Sequence, residues 1–485
     1  MDVNQIEGIG QELRAFLKEY QDCFVDGRSR RHLTTYMRGQ MSDLPRKSIE
    51  PIALEFDVPV RTLQAFIALA EWDEQRMRDR AQQQVARDHA DAEAIGVIDD
   101  SPHPKKGEKT ACVQRQWCGR TGKIDNCVVG VHLSYVSGDF RVLLDSELFV
   151  PKEWAEDLPR RREAEIPDEV AYRPKTQIAL AQLDRALGHG IRVAAWTADA
   201  WYGRDGEFHD GLETRGQSYV LEVPANFYGW VKAPRVLLKP LSGERIGGRR
   251  KRYPRLAARQ PASEVRDLVR YSRVFSSQKW RPFRVRDGEQ GPIVMEVKCA
   301  AFYRKQEHGL PSREHTLLAV RPVLRPAEIK YFVANMAVMK PGRPPSLSMV
   351  APRSALAAAA ASPQGAGTGT PPPRATLEWV LWVAFSRWPI EQCFERAKNE
   401  LGLDHFEVRG WRSIHRHFYI TQLTHLFCSR LHQRWREKND EVVVPDGRAG
   451  AHGGLCVGRR AIAITSGSSA PVPPHPSDDS PLAVA

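Results

Sequence analysis

Three carboxylates in this chain stand where chemistry explains their placement better than structure does. The short apolar run "AIGVID" ends in acids, Asp100 with Asp99 before it, and the run "VAAWTAD" ends in Asp199. Far downstream, "RWPIEQCFERAK" carries Arg387, Glu391 and Lys398 at offsets 0, +4 and +11. On a helix turning 100° per residue, these three charges fall within a ~40° arc, beside an apolar stripe of Ile390, Phe394, Ala397 and Leu401. Strand ends of an α/β sheet open on the crevice where ligands bind. Three carboxylates converging there would repel one another unless a divalent cation neutralised them, and hard oxygen donors select Mg²⁺, with Mn²⁺ as a substitute. Two such ions can activate a water and stabilise the leaving oxygen of an in-line phosphoryl displacement. Taken singly, each acid has a plainer reading, as a turn cap at a strand end or as an i,i+4 partner on a helix.

The elements that must position these acids are legible in outline. The chain has 485 residues, of which 42% are apolar and 27% charged, the balance of a globular protein long enough for several domains. No run approaches the ~18–20 apolar residues of a membrane helix, and "MDVNQIEGIGQEL" lacks the features of a secretory signal, so the expected address is the cytoplasm. The eight cysteines form no C-x-x-C pair and read as reduced structural thiols. A net charge of +12 favours a polyanionic partner.

Residues 1–92 read as a helical DNA-binding region. Within it "IEPIALEFDVPVRTLQAFI" has a helix-turn-helix pattern, with Ile52, Ala53 and Phe56 inward, a turn near Asp57 to Pro59, then Leu63 and Phe66; any helical hairpin gives the same pattern. Residues 93–204 run strand, hairpin, helix, strand, with acids at the strand ends, the order of an α/β core. Residues 205–340 form a β-rich segment with strand-like runs "SYVLEVPA", "RDLVRYSRVF", "IVMEVKCAAFYR", "HTLLAVRPV" and "IKYFVANM". Residues 341–374 are a low-complexity linker, 375–438 return to helix, and the aperiodic 439–485 reads as a disordered tail.

Several strings carry a resemblance. "RWPIEQCFERAK" is similar to the signature helix of DDE transposases of bacterial insertion sequences, in the branch with a Tyr-x2-Arg-x3-Glu-x6-Lys motif. Arg387, Glu391 and Lys398 match in register, whereas the tyrosine position holds Ala384. "IDDSPHPKKG" resembles the family's first-aspartate strand, where the catalytic Asp precedes Ser or Thr, which selects Asp100 over Asp99. "TADAWYG" resembles the second and selects Asp199; "RQWCGRTGKIDNCVVGV", "YVLEVP" and "GLDHFEVRGWRSIHRH" resemble one subfamily of this branch. The resemblance implies an α/β (α+β overall) fold: a ribonuclease H-like core with a mixed sheet, interrupted by a β-rich insertion and preceded by a helical domain. It implies Asp100, Asp199 and Glu391 as catalytic metal ligands for two Mg²⁺ ions. It implies cut-and-paste cleavage and strand transfer through a hairpin intermediate, on terminal inverted repeats and target DNA. The enzyme would work as a homodimer on paired ends, nucleoid-associated when bound.

Arg387 and Lys398 would hold phosphates near the cleaved end. Trp280, in "SSQKWRPFR", is the aromatic expected to take up a flipped base, with a packed structural role as the plainer reading. The tract Arg249, Arg250, Lys251 and Arg252 around Tyr253 fits phosphate contact, or else a solvated loop. Lys105 and Lys106 would steer DNA toward Asp100 or simply solubilise. The histidines of "HRH" at 415–417 face different sides of a helix and do not read as a zinc site. A catalytically impaired relic that only binds DNA is the alternative, given Ala384, the linker and the tail. A carboxylate-pair glycosidase is disfavoured, because sugars need no phosphate clamps.

Overall fold

The computed structural model describes residues 3–237, 245–246, 249–250, 254–257, 260–288, 291–338 and 374–441. The expected linker and nearly all of the expected tail lie outside the described residues.

Helices α1 (Val3–Lys18), α2 (Gly27–Met41), α3 (Ile49–Glu55), α4 (Val60–Ala68) and α5 (Glu74–Asp88) open the chain. Asp26 caps α2 by accepting from the Arg28 and Ser29 amides at 2.7 and 2.8 Å. Between α3 and α4 the chain turns through Asp57, whose φ of 52° is left-handed, and Ile52, Ala53, Leu63 and Phe66 are buried in the hairpin as their spacing predicts. The helices do not stand apart from the rest. The buried Arg416 guanidinium donates to the carbonyls of Ile67 and Trp72, each at 3.1 Å, and to Glu74.

Next come β1 (Ile95–Pro104), β2 (Gln114–Cys118), β3 (Lys123–Ser137) and β4 (Phe140–Leu148). The hairpin between β3 and β4 turns at Gly138, whose φ is +57°. Short helices α6 (Lys152–Glu156) and α7 (Leu158–Glu163) lead to α8 (Lys175–Gly188), which Gly190, at φ +92°, helps to stop, and then to β5 (Ala195–Ala198). α9 (Ala200–Gly203) and α10 (Gly206–Thr214) precede β6 (Tyr219–Val223) and β7 (Tyr228–Trp230).

One expected strand is helical. "RDLVRYSRVF" spans most of α11 (Val265–Tyr271) and α12 (Arg273–Ser276). Its branched residues suggested a strand, but Val265, Leu268 and Val269 are buried at i, i+3 and i+4, the helical period. The other runs fold as strands: β8 (Arg281–Gly288), β9 (Gly291–Lys305), β10 (Pro311–Pro322) and β11 (Lys330–Ala334). The chain ends in α13 (Leu377–Phe385), α14 (Trp388–Asn399) and α15 (Trp411–Glu441).

Among the described residues these eleven strands and the short Ser263–Glu264 strand on β7 form one twelve-stranded mixed sheet, beside three two-stranded ladders, giving an α+β fold. Its central order is β7-β9-β10-β11-β6-β5-β1-β3-β2, with β4 on β3 and β8 on β9. β1, β5 and β6 run parallel while the flanking strands are antiparallel. The strand-rich 205–340 segment thus extends the sheet of the core, through the β5–β6 pairing, and adds two short ladders between residues 236 and 256.

Pleating sends successive side chains to opposite faces. Ile95 and Val97 of β1, Ala195 of β5 and Val220 of β6 pack in the core lined by α13 and α14. Ile98, Trp196, Ala198, Tyr219 and Leu221 pack in the other core, with α8 and the N-terminal helices.

Candidate active site at the sheet edge

The registers of the three parallel strands decide which acids can meet. Ile98 pairs with Ala198 and Ala198 with Leu221, so the next residues, Asp99, Asp199 and Glu222, stand side by side where the parallel pairing stops, while β1 itself runs on against β3 to Pro104. By the pleat all three turn to the face of α13 and α14.

Arg387, in the turn between α13 and α14, reaches all three. Its Nη1 lies 4.0 Å from Asp99 Oδ2 and 4.0 Å from Asp199 Oδ2, and its Nη2 lies 3.8 Å from Glu222 Oε2. The other aspartate oxygens are already held. Asp99 Oδ1 accepts from the Asp100 amide at 2.9 Å, and Asp199 Oδ1 caps α9 by accepting from the Trp201 and Tyr202 amides at 2.9 and 3.2 Å. Asp199 is therefore both the cap that its position suggests and an acid with one oxygen free to act.

Asp100 faces the other way. Its carboxylate takes a short hydrogen bond from Lys175 Nζ at the start of α8, and the same ammonium lies 4.8 Å from the Trp201 ring centre. Asp99 and Asp100 thus stand on opposite faces of β1, because a shift of one residue along a strand exchanges faces.

Burial pushes the Asp99 carboxyl up to about 7; Arg387 pulls it down, while Asp199 and Asp100 push it further up. Burial also raises Asp199, against the pull of Arg387. Beside them the buried Tyr202 hydroxyl has no hydrogen-bond partner among the described residues. The donor set fits a divalent cation: two hard oxygens, each costly to keep charged without a counter-charge, converge on one cation already. Among the described residues no three His, Cys, Asp or Glu side chains are grouped closely enough to hold a metal.

Glu391 stands in the first turn of α14, one turn beyond Arg387; the side chains of 388–392 lie outside the described residues. α14 is seated by Phe394, Ala397 and Leu401, all buried as the apolar stripe predicts. The Lys398 amine is part-buried, and burial and Arg120 lower its proton affinity while Asp99 and Asp100 raise it. Ala384, where the resemblance has a tyrosine, is buried in the α13 core.

The remaining expectations divide. The Lys105 ammonium donates to the Phe406 carbonyl at 2.6 Å and sits 3.3 Å from the centre of that ring. Lys106 is exposed. Trp280 is half-buried, with Arg321 at 4.0 Å and Lys298 at 5.0 Å from its ring centre, and lines a cleft with Arg266, Arg270 and Tyr331. Arg249 and Arg250 pair with Ile246 and Arg245 in a two-residue ladder, their side chains outside the described residues, as are Lys251 and Arg252. His415 and His417 are satisfied by backbone groups and Tyr36, as core histidines. Among the described residues no helix is long and apolar enough to cross a membrane.

Sequence reasoning missed Glu222 and Lys175. The signal for Glu222 was the one used for Asp199, an acid ending a buried strand, in "YVLEVP". Lys175 opens a helix and carries no comparable mark.

Two family models match long, overlapping stretches of the chain. Residues 19–292 match the family model of the DDE superfamily endonuclease, and residues 172–427 match that of the transposase DDE domain. A probable transposase for insertion sequence element IS701 from Microchaete diplosiphon is 28% identical over 211 residues, 43% of this chain and 53% of that protein. The chain thus spans about half the length of the curated relative it matches.

Proposed function

The chain belongs to the DDE endonuclease and transposase family, and from that premise we propose that it is a transposase cutting and rejoining DNA at the ends of an insertion sequence. Asp99, Asp199 and Glu391 are the carboxylates of its metal site, with Asp99 in place of Asp100. The observation that carries this reading is the shared register and face of Asp99 and Asp199, opposite the helix that bears Glu391.

Two Mg²⁺ ions, or Mn²⁺ in their place, would supply a polarised nucleophile and neutralise the leaving oxygen. The protein's own groups prepare the site. The backbone amides that hold Asp99 Oδ1 and Asp199 Oδ1 fix both carboxylates, leaving each Oδ2 toward Arg387. Lys175 holds Asp100 away on the opposite face. Arg387 neutralises the acid row and, once released by an incoming cation, is placed to hold a phosphate, with Lys398 two turns beyond Glu391. Trp280, flanked by Arg321 and Lys298, is placed to stack a displaced base. The products are those of cut-and-paste transposition through a hairpin, on terminal inverted repeats and then target DNA, by a homodimer on paired ends.

A second reading, a chain that binds DNA without cutting it, has one observation in its favour: the position of the signature tyrosine is a buried alanine. Incubating the full chain with the element's terminal repeats and Mg²⁺ separates the two. Nicked and hairpin products that disappear with Asp199→Asn support the enzyme. Bound but uncut ends support the second reading, and no binding at all excludes both.

A further inference from the structure

The ribbon formed by β2 and β3 carries exposed apolar side chains that the proposed chemistry has not used. Trp117 and Ile124 are directly opposed across the pair, so they share one face, and they are 65% and 60% exposed. Arg115, two residues along the same strand, lies on that face and is exposed. The turn adds Arg120, also exposed, and Lys123, exposed at the start of β3, stands opposite Cys118 beside that face. Arg115 and Lys123 have no ion-pair partner among the described residues. A solvated hairpin gains nothing from presenting a tryptophan, and paired apolar groups ringed by cations suit a partner with apolar faces and anionic edges.

The ribbon also adjoins the candidate site. Arg120 pairs with Asp404, six residues beyond Lys398, and its charge is among those that lower the proton affinity of the Lys398 amine. β1, which carries Asp99, pairs with the same β3 that forms the ribbon. A surface continuous with the cutting site, basic at its rim and apolar at its centre, commits the partner to DNA.

We propose that the β2–β3 ribbon enters a groove of the duplex flanking the scissile bond, with Trp117 and Ile124 against base edges and Arg115, Arg120 and Lys123 on the phosphates. A two-stranded ribbon fits the major groove of B-form DNA, and apolar contacts there read thymine methyl groups. This inference rests on the proposed function and adds a DNA contact outside the signature helix.

The test is fluorescence anisotropy of the full chain with a fluorescein-labelled mixed-sequence duplex over a range of salt concentrations. The substituted side chains are exposed, so unchanged melting curves will confirm that each variant folds. Trp117→Ala should weaken binding about tenfold, as loss of one aromatic contact does, while Trp117→Phe restores most of it. Arg115→Gln together with Lys123→Gln should flatten the slope of log affinity against log salt by about 2. Wild-type binding with all variants equal to it overturns the ribbon proposal and leaves the proposed function standing. Unchanged DNA binding with an altered oligomeric state also overturns it, assigning the face to a second copy. A wild-type chain that binds no duplex overturns the proposed function and the ribbon proposal together.

Discussion

Asp99 and Asp199 follow the last paired residues of two neighbouring parallel strands in one register, and each turns its Oδ2 to 4.0 Å from the same nitrogen of Arg387. In this state the guanidinium supplies the counter-charge that two buried carboxylates need. A cation bound between the aspartates would take over that role and free the arginine for a phosphate. Glu222, 3.8 Å from the other guanidinium nitrogen, is then the group that keeps Arg387 close when the aspartates are occupied.

Glu222→Gln should therefore impair cleavage through the placement of Arg387. The expected loss is about tenfold in kcat/KM, of the order of one charge-assisted hydrogen bond. Arg387→Lys in the same background should cost little more, because the two substitutions damage one contact. Cleavage rates for the single and double variants check this, and full additivity would argue that Glu222 acts elsewhere.

Gly203→Ala should disturb the same site from behind. A Cβ at this position would meet the Glu222 carbonyl oxygen at 1.9 Å, so α9 and β6 cannot both stay in place. Because Asp199 caps α9 and Glu222 lies on β6, both acids shift. A stability loss of about 1–3 kcal/mol is expected, read by urea unfolding, together with a fall in cleavage larger than the unfolded fraction explains.

Arg416→Ala should be among the most destabilising substitutions outside the site. The guanidinium is fully buried and joins the Ile67 and Trp72 carbonyls and Glu74 to α15. Removing one partner of a buried pair costs about 3–5 kcal/mol, measurable by urea unfolding. A loss within the range of a surface substitution would contradict the buried arrangement.

Lys105 gives stability a pH signature. Burial pulls its ammonium down to about 7 from an ordinary value of 10.5. Between those values the unfolded chain binds more protons than the folded one, so this group's contribution improves as pH rises from 7 to 10.5. Melting temperatures of wild type and Lys105→Met should converge across that window if the variant starts higher, or diverge in favour of wild type if it starts lower. A difference that does not change with pH would mean that the amine is not desolvated.

Much of this was legible in the sequence, because period and strand-end chemistry are local properties. The helical hairpin at Ile52 to Phe66, β1, the β3–β4 hairpin, β5 and the apolar stripe of α14 all follow from spacing. The face of an acid is not local. Adjacent residues on β1 differ by which core they turn to, and only the register with β5, with α8 on one face of the sheet and α14 on the other, separates Asp99 from Asp100. A motif that reads Asp before Ser carries no information about that face. Lys105 looked like a free cation because nothing in "PKKG" announces the Phe406 carbonyl and ring that take it up. "RDLVRYSRVF" looked like a strand because its β-branched residues outweighed the i, i+3, i+4 spacing that packing selects.

The central claim is that Asp99, with Asp199, forms the aspartate pair of the metal site. Mg²⁺-dependent nicking of a duplex bearing the element's ends, compared for Asp99→Asn, Asp100→Asn and Asp199→Asn, tests it most directly. Asp99→Asn and Asp199→Asn should each reduce the rate by at least about 100-fold, as loss of a transition-state charge contact does, while Asp100→Asn keeps it within about tenfold of wild type. Activity retained by Asp99→Asn and lost in Asp100→Asn would contradict the account.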